Sequence, residues 1–514
     1  PLSRLSLTLS PSTMKSLVSN HHVSFVLLFL LNFVSSVQAI LYSNAKPFQP
    51  TSIALLRSAI NFCLSEEHLD SDKQDCTSFS NSKTKTWKTE FSGQPQEIRY
   101  YYGHMSTWDV SQTGTDWRNL FKDKKNMNLD IGLWDSSAVT NMGNMFQGAE
   151  IFNQDISNWD VSNVVTMTQM FQGAENFNHD IGSWTTVELV HMTSIFKNAK
   201  KLSYSPDNWD TSKVIDLSHV FNGAENVNGV LNWDTSKVTS MESTFESALA
   251  FNQDLIHVPS SLSTCTVGDG ASANEADCAC GATECTSVNG LFCYEDHDCC
   301  SQTASSPPSS MCTEFSVTGL LRWNMGKVTT MKNTFKNAAA FNGEIKSWPV
   351  YSVVTMESML EDATAFNKNV ATWNVQAVNS LARMFKGAAA FNQNLGTWNV
   401  AEVTTMREIF SGATSFDGEL VGWNVKNVKD FGYMFYNAVA FNQPMASFDT
   451  ALAENMDHMF AGATLFNQNI NSWTSVMNVN NMDSMFFNAI NFNSPLLLWV
   501  PQVVTTMRKM FQNS

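Results

Sequence analysis

The sequence has few charged side chains and no excess of basic ones. Charged residues make up 15% of the 514 residues, and 47 acidic against 31 basic side chains give a net charge of -16. An acidic chain is repelled by phosphate backbones and gains nothing from anionic lipid, so we expect no nucleic-acid partner. The low charge, together with 11% aromatic residues, also argues against a disordered chain.

The sequence also lacks the short motifs of common enzyme and cofactor sites. It contains no Gly-x-Ser-x-Gly nucleophile turn, His-Glu-x-x-His helix, phosphate-binding loop, dinucleotide fingerprint or EF-hand loop. The ten histidines fall at unrelated positions of the repeat described below, and we interpret His179, His191 and His219 as surface residues. We therefore predict no catalytic residues, no cofactor and no bound metal.

No apolar run is long enough for a comfortable membrane helix. The main one covers residues 23–34, follows Met14 and Lys15, and precedes small residues at 37–39. A helix needs about 20 apolar residues to cross a bilayer. The pattern is typical of a secretory signal, so residues 1–39 are predicted to be upstream sequence and a signal peptide. The alternative is an uncleaved signal that anchors the chain in a membrane.

The cysteines fit an oxidising compartment. Cys63 and Cys76 lie near the N-terminus and are candidates for one disulfide. The other eight are Cys265, Cys278, Cys280, Cys285, Cys293, Cys299, Cys300 and Cys312. An even number of cysteines in a secreted chain indicates disulfides, although the sequence does not choose the pairing. Zinc binding at Cys278-x-Cys280 with His297 is the less favoured alternative.

Most of the chain repeats one pattern of about 25 residues. Residues 164–190 (VVTMTQMFQGAENFNHDIGSWTTVELV) show it as V-T-x-M-x-x-M-F-x-G-A-x-x-F-N-x-x-I-x-x-W. The first aromatic position, here called the marker, occurs at Phe121, Phe146, Phe171, Phe196, Phe221, Phe245, Phe335, Leu360, Phe385, Phe410, Phe435, Phe460, Phe486 and Phe511. The markers are 24 to 26 residues apart except for one jump of 90 residues after Phe245.

The two halves of the repeat predict different local structures. In V-x-x-M-x-x-M-F the apolar residues are three and four apart, a Thr, Ser or Asn precedes the Met, and Gly or Asn follows the marker by two residues. This predicts a short helix with a left-handed cap. F-N-x-x-I-x-x-W predicts a short strand, and stacking would place neighbouring strands about 4.8 Å apart. We therefore predict an α/β repeat solenoid of about 14 turns, with a short helix and a short parallel strand per turn, plus a small disulfide-rich insertion.

Asn after the second Phe is nearly constant. It occurs at Asn153, Asn178, Asn228, Asn252, Asn342, Asn367, Asn392, Asn442, Asn467 and Asn493, with Ser203 and Asp417 as exceptions. A buried Asn is costly unless its amide is hydrogen-bonded, so we predict a structural ladder that joins the backbone of one turn to the next.

The Trp that ends the repeat is nearly constant too. The column runs from Trp134 to Trp499, with Phe448 as its exception, and we predict that it packs in the core. The alternative is an exposed row that stacks on sugars.

Acidic residues follow the Trp in several early repeats, at Asp135, Asp160, Asp210 and Asp234. An aligned row of carboxylates could bind calcium. In later repeats the same position is Asn324, Asn374, Asn399 and Asn424. This replacement favours a role in capping the turn over a role in metal binding.

The repeats and the segments between them divide the chain. After the signal we expect an N-terminal cap and loop at 40–104, with a helix over 50–65, a first repeat block at 105–257, a cysteine-rich insertion at 258–316 and a second block at 317–514. The insertion has too few large apolar residues for its own core, so disulfides are expected to hold it together.

The repeat motifs, such as F-N-Q-D-I-S-N-W-D-V-S at residues 152–162, resemble the BspA-type leucine-rich-repeat surface proteins of microbes. The resemblance covers roughly 100–257 and 317–514. It implies a leucine-rich-repeat-like stack, a secreted or surface-attached protein associated with adhesion, and no catalytic residues common to the repeats. The chain departs from the family by its cysteine-rich insertion. It also stops at Ser514 without a capping repeat, so we expect a fragment of a longer protein.

The sequence thus predicts an extracellular or cell-surface, non-catalytic interaction protein whose ligand is an extracellular protein or glycan. Two alternatives stay open: a passive wall or matrix component, and a carbohydrate-active or other enzyme with its site in the insertion. Membrane contact is expected only through an uncleaved signal or an anchor beyond Ser514.

Overall fold

The computed structural model describes residues 48–64, 105–255, 323–473 and 476–514, together with five short strands between 263 and 301. The predicted signal peptide, Cys76 and most of the insertion lie outside the described residues.

Each repeat contains one residue that pairs in parallel with the equivalent residue of a neighbouring repeat. These bridge residues are Asp116, Asn141, Thr166 and His191, and then Asp216, Ser240, Thr330, Thr355, Ser380, Thr405, Asp430, Asn455, Asn481 and Thr506. Because each partner comes from the next repeat along the chain, the repeats are stacked in sequence order.

The backbone after each bridge residue alternates between two kinds of hydrogen bond. In residues 141–149 the N–H groups of alternate residues donate to the next repeat, as from Phe146 to the Met170 carbonyl oxygen at 2.8 Å. Between them, Gly143 donates to the Asn141 side chain at 3.0 Å, and the later N–H groups donate three residues back, as from Gln147 to the Asn144 oxygen at 3.2 Å. The pattern pairs the buried backbone without a helix.

The prediction of a short helix in each turn is wrong for the described repeats. Each of the fourteen repeats has two residues with positive φ, one two positions before the marker and one two positions after it. A left-handed residue interrupts a right-handed helix, so the segment forms consecutive turns. The second position was predicted from Gly and Asn. The first holds residues as large as Arg383 and Tyr433, which carry no such signal.

The predicted strand is also misplaced. Parallel pairing occurs at the single bridge residue in the first half of the repeat, not in F-N-x-x-I-x-x-W. In the described repeats the regular elements are two 3-10 helices, η1 (Met105–Thr107) and η2 (Val476–Asn478). The α/β description therefore does not hold for these repeats, which consist of turns and isolated bridges.

Aromatic columns fill the interior of the stack. The marker rings stack from repeat to repeat, as for Phe146 and Phe171 with centroids 5.5 Å apart, and so do the second Phe rings, as for Phe152 and Phe177 at 5.9 Å. Within one repeat Phe146 lies 4.0 Å from Phe152. The buried residues form one continuous cluster through both blocks, which is how a solenoid-like stack obtains a core that no single repeat can provide.

A helix covers the first repeat. The helix predicted over 50–65 is present as α1 (Ile53–Cys63), and its Leu56 and Ile60 are fully buried. Phe48 packs edge-on against Trp108 with ring centroids 5.0 Å apart. Cys63 is disulfide-bonded. Its proposed partner, Cys76, lies outside the described residues, so that pairing stays a prediction.

The two blocks stack directly on each other across the insertion. Ser240 forms a parallel bridge with Thr330, and the Phe245 and Phe335 rings stack 5.4 Å apart. Residues 256–322 lie between Leu255 and Trp323, two positions that the other described repeats separate by one or two residues.

Five short strands are described within the insertion. They are β1 (Ser263–Thr264), β2 (Cys278–Cys280), β3 (Thr283–Cys285), β4 (Phe292–Tyr294) and β5 (Cys299–Ser301). Strand β2 pairs in parallel with β1 and antiparallel with β3, and β4 pairs antiparallel with β5. The registers place Cys278 opposite Cys285 and Cys293 opposite Cys300, which makes these pairs candidates for disulfides.

Candidate functional site

The tryptophan column lies in the core, from residue 134 to residue 473. Each indole donates its Nε1–H to a backbone carbonyl of the preceding repeat, as Trp398 does to the Val370 oxygen at 3.0 Å. Neighbouring indoles stack, as Trp373 does on Trp398 with centroids 6.4 Å apart and planes 7° apart. The alternative of an exposed sugar-stacking row is therefore wrong for these residues.

The asparagine column forms a hydrogen-bonded ladder along one edge of the stack. The Oδ1 atom of one Asn accepts the backbone N–H of the same position in the next repeat, as Asn367 does from Asn392 at 2.9 Å. Asp417 serves in the same way and accepts from Asn442 at 2.8 Å. The side chains are half-buried or exposed, not buried as expected. Each side chain is fixed by the hydrogen bond that it accepts from the backbone of the next repeat, although it faces solvent.

The polar residues after the Trp cap the following turn. The Asp160 Oδ1 atom accepts the Ser162 N–H at 3.0 Å, and Asn399 does the same for Ala401 at 3.3 Å. Hydrogen bonds from the Ser162 side chain and backbone lower the pKa of Asp160. The shared geometry supports the capping role over the calcium alternative, and the described residues contain no cluster of three potential metal ligands.

A cluster that sequence reasoning missed lies on the side of the stack that carries the bridge residues. The Tyr433 ring stacks on His458 with centroids 4.4 Å apart, and the Arg407 guanidinium lies 5.1 Å from the Tyr433 centroid. Arg407 also donates to Asp457 at 3.3 Å. We call Arg407, Tyr433, Asp457 and His458 the Tyr433 cluster. Its members occupy variable positions of successive repeats, so no sequence motif predicts the cluster.

Burial and neighbouring charges shift the pKa values of Arg407 and Tyr433 in the Tyr433 cluster. Burial disfavours the Arg407 cation, but Asp430 and Asp457 hold the pKa of Arg407 above its usual value. Burial, and then the negative charge of Asp457, raise the pKa of Tyr433. Because Arg407 and His458 come from the repeats on either side, both faces of the Tyr433 ring are in use. The cluster therefore joins repeats, and it does not present an open aromatic platform.

Ion pairs between successive repeats extend along the same side. Lys336 lies 3.2 Å from Glu361, and Lys386 lies 2.6 Å from Glu408. Pairs of this kind at a surface contribute about 0–1 kcal/mol each. On this side of the stack, basic and acidic side chains of neighbouring repeats therefore neutralise one another.

The three singled-out histidines do not converge. His179 Nε2 lies 3.1 Å from the Asn153 carbonyl oxygen, and His191 is a bridge residue. His219 lies in the left-handed position, where burial, together with Lys197, lowers its pKa.

Comparisons with known proteins identify the repeats. No helix in the described part of the chain is long and apolar enough to span a bilayer. No curated protein matches the sequence. The family described as "Mycoplasma protein of unknown function, DUF285" matches residues 89–208, 203–265, 306–421 and 404–514, which is well over half of the chain. The matches cover both repeat blocks and leave the centre of the insertion unmatched, and the chain therefore belongs to this repeat family.

Proposed function

We propose that the chain is a secreted or cell-surface, non-catalytic interaction protein of the BspA-type leucine-rich-repeat kind, with an extracellular protein or glycan as its ligand. The observation that carries the proposal is the uninterrupted stack. Ser240 pairs with Thr330 across the insertion, so the scaffold holds a large non-repetitive segment without losing its own packing. Repeat proteins use extended surfaces and such insertions for recognition.

Two features support an extracellular location. The sequence at 14–39 has the order of a signal peptide, namely a basic residue, an apolar run and small residues. Cys63 is disulfide-bonded, and disulfides persist mainly in oxidising compartments. The same features support a location shared with the BspA-type surface proteins.

A non-catalytic role is favoured by how titratable groups are used in the described repeats. In the Tyr433 cluster, for example, Arg407 contacts Asp457, and it also contacts Asp430 beside the cluster. An enzyme needs titratable groups that converge on an open pocket. Here they converge on their neighbours in adjacent repeats.

Secretion is tested first. A C-terminally tagged chain expressed in eukaryotic cells should enter the medium or reach the cell surface, with the signal removed. A matched variant with Leu27→Arg and Leu30→Arg breaks the apolar run and should stay inside the cell. Equal intracellular retention of both proteins would contradict the proposal.

Binding is tested next on arrays of glycans and cell-surface proteins, alongside a variant that lacks residues 258–315. Saturable binding that disappears with the deletion assigns recognition to the insertion, and binding that survives assigns it to the stack. A folded protein that binds nothing would support the passive wall or matrix alternative and overturn the proposal.

A further inference from the structure

One edge of the second block carries a regular row of outward amides. The row consists of Asn342, Asn367, Asn392, Asn442 and Asn467, and we call it the amide edge. Each Oδ1 atom accepts a backbone N–H from the next repeat at 2.8 to 2.9 Å. Because a backbone N–H can only donate, this contact fixes which end of the amide points inward. Among the described residues, no Nδ2 atom of these five side chains donates a hydrogen bond within the chain.

Glutamines add acceptors beside these donors. Gln393 donates its Nε2–H to Asn367, at 3.0 Å to the backbone oxygen and 2.8 Å to Oδ1. Gln468 does the same to Asn442, at 2.8 and 3.1 Å. With its nitrogen held, each Gln is oriented so that Oε1 is left to accept. The edge thus presents fixed donors and acceptors side by side.

The surroundings of the amide edge have small side chains and few charges. The residue two positions before the Asn is Ala in four of the five repeats, at Ala340, Ala365, Ala390 and Ala440. Lys368 is neutralised by Glu344 at 2.7 Å, and Asp417 and Glu419 are the other charges beside the row. In the first block the corresponding edge carries ion pairs, such as Lys200 with Glu175 at 2.8 Å.

The geometry points to a periodic, neutral, hydroxyl-rich ligand. Donors recur in every repeat of the row except that of Asp417, at the roughly 4.8 Å interval of paired strands. A hydroxyl can donate and accept at once, which matches an edge with both kinds of group. Donors that are already held in place lose little entropy on binding. Few charges on the edge leave little for a charged polymer to pair with.

We propose that the amide edge binds a neutral polysaccharide that lies along the stack, with ligand hydroxyl oxygens accepting from the Asn Nδ2 groups. The proposal rests on the proposed function of the chain as a recognition protein and names the ligand class of one face.

The test removes donors and keeps the ladder. Asp417 shows that a carboxylate can fill a ladder position, so Asn367→Asp, Asn392→Asp and Asn467→Asp in one variant should preserve the fold. The matched control is Asn374→Asp, Asn399→Asp and Asn424→Asp, which makes the same chemical change after the Trp. Asp160 shows that Asp is tolerated there.

Each protein is titrated against cellulose, chitin, β-1,3-glucan and mannan and screened on a cell-surface protein array. The ladder variant should bind its polysaccharide at least about tenfold more weakly, because three neutral hydrogen bonds are lost, while the control stays within about twofold. Asp417→Asn is a second variant with no folding risk, since Asn is the usual residue. It restores a donor and should tighten binding.

Several outcomes would overturn the proposal. If the wild type binds proteins but none of the four polysaccharides, the ligand class is wrong and the proposed function survives. If the ladder variant binds as tightly as the wild type, or the control loses as much, the amide edge is not the site. If a folded wild type binds nothing, the proposed function falls as well.

Discussion

At the scale of single residues, each constant position of the repeat is tied to a contact with the neighbouring repeat. The Trp donates to a carbonyl one repeat back, and the Asn accepts an N–H from one repeat ahead. The Gly after the marker has a positive φ and often lies against a side chain from the repeat before. These residue types therefore recur because each one makes a contact between two neighbouring repeats.

Trp398 separates the packing of the indole from its hydrogen bond. Trp398→Phe should cost about 1–3 kcal/mol, because the hydrogen bond to the Val370 oxygen is lost and the phenyl ring fills less of the buried site. Phe448 occupies this position in another repeat, so the smaller ring is tolerated. Trp398→Ala should cost about 3–5 kcal/mol through the cavity that it leaves. Urea unfolding measures both, and equal losses would show that the ring contributes nothing beyond its N–H.

Gly387 is expected to tolerate Ala less well than Gly173. Both have positive φ, at +67° and +70°, so either change costs about 1–2 kcal/mol of backbone strain. At Gly387 a methyl group would also meet the Asp362 carboxylate, whereas at Gly173 the nearest atoms lie 3.7 Å away. We expect Gly387→Ala to lose about 1–3 kcal/mol more than Gly173→Ala in the free energy of unfolding. Equal losses would mean that the Asp362 side chain moves aside freely.

How much of this could be predicted depended on whether a position has a distinctive residue type. The Asn, Trp and second left-handed positions recur as Asn, Trp and Gly, so their contacts could be predicted from the template. The first left-handed position, as at Tyr433, accepts almost any residue, and the helix was predicted because that position has no signal. The Tyr433 cluster was missed for the same reason, since its members meet only once the turn geometry is known.

At the scale of the element, the turn after the Trp is the same structure built from two residue types. The first block uses mainly Asp and the second mainly Asn, and both accept the N–H two residues later. Asp loses its charge in acid and Asn has none, so the two blocks should respond differently to pH.

Asp160, after Trp159, and Asp155, which caps the turn before Trp159 in the same way, test the response of such turns to pH. Hydrogen bonds from Ser157 and Ser162 lower the pKa values of the two carboxyl groups in the folded chain. A lowered folded pKa stabilises the fold above the ordinary value of 3.8, and this contribution is lost as the pH falls below it. The double variant Asp155→Asn, Asp160→Asn should therefore show a smaller fall in unfolding midpoint between pH 5 and pH 3.

The corresponding wild-type measurement in the same buffers is the control. Both groups are exposed, so the difference should be modest, but its sign is fixed. A variant that loses as much stability in acid as the wild type would show that these turns do not contribute to the pH dependence.

At the scale of the whole molecule, the stack determines stability and the insertion does not interrupt it. Replacing residues 256–322 by a Ser-Asn pair, as at 157–158, restores an ordinary turn between Leu255 and Trp323. We expect unfolding stability to stay the same or to rise by no more than about 3 kcal/mol, because the closure of a long loop is removed. Calorimetry and denaturant unfolding measure the change. A large loss would show that the insertion supports the stack.

The direct pairing of Ser240 with Thr330 has a wider consequence. Nearly every repeat has the same short turn between a buried aliphatic residue and a buried Trp. In this chain one such turn carries a long insertion, and the repeats on either side of it still pair directly. The turns of the other repeats are therefore equivalent sites at which a segment could be inserted, and one turn already carries such a segment. New segments could be inserted or exchanged at the other turns, by evolution or by design, with little loss in the stability of the stacked repeats.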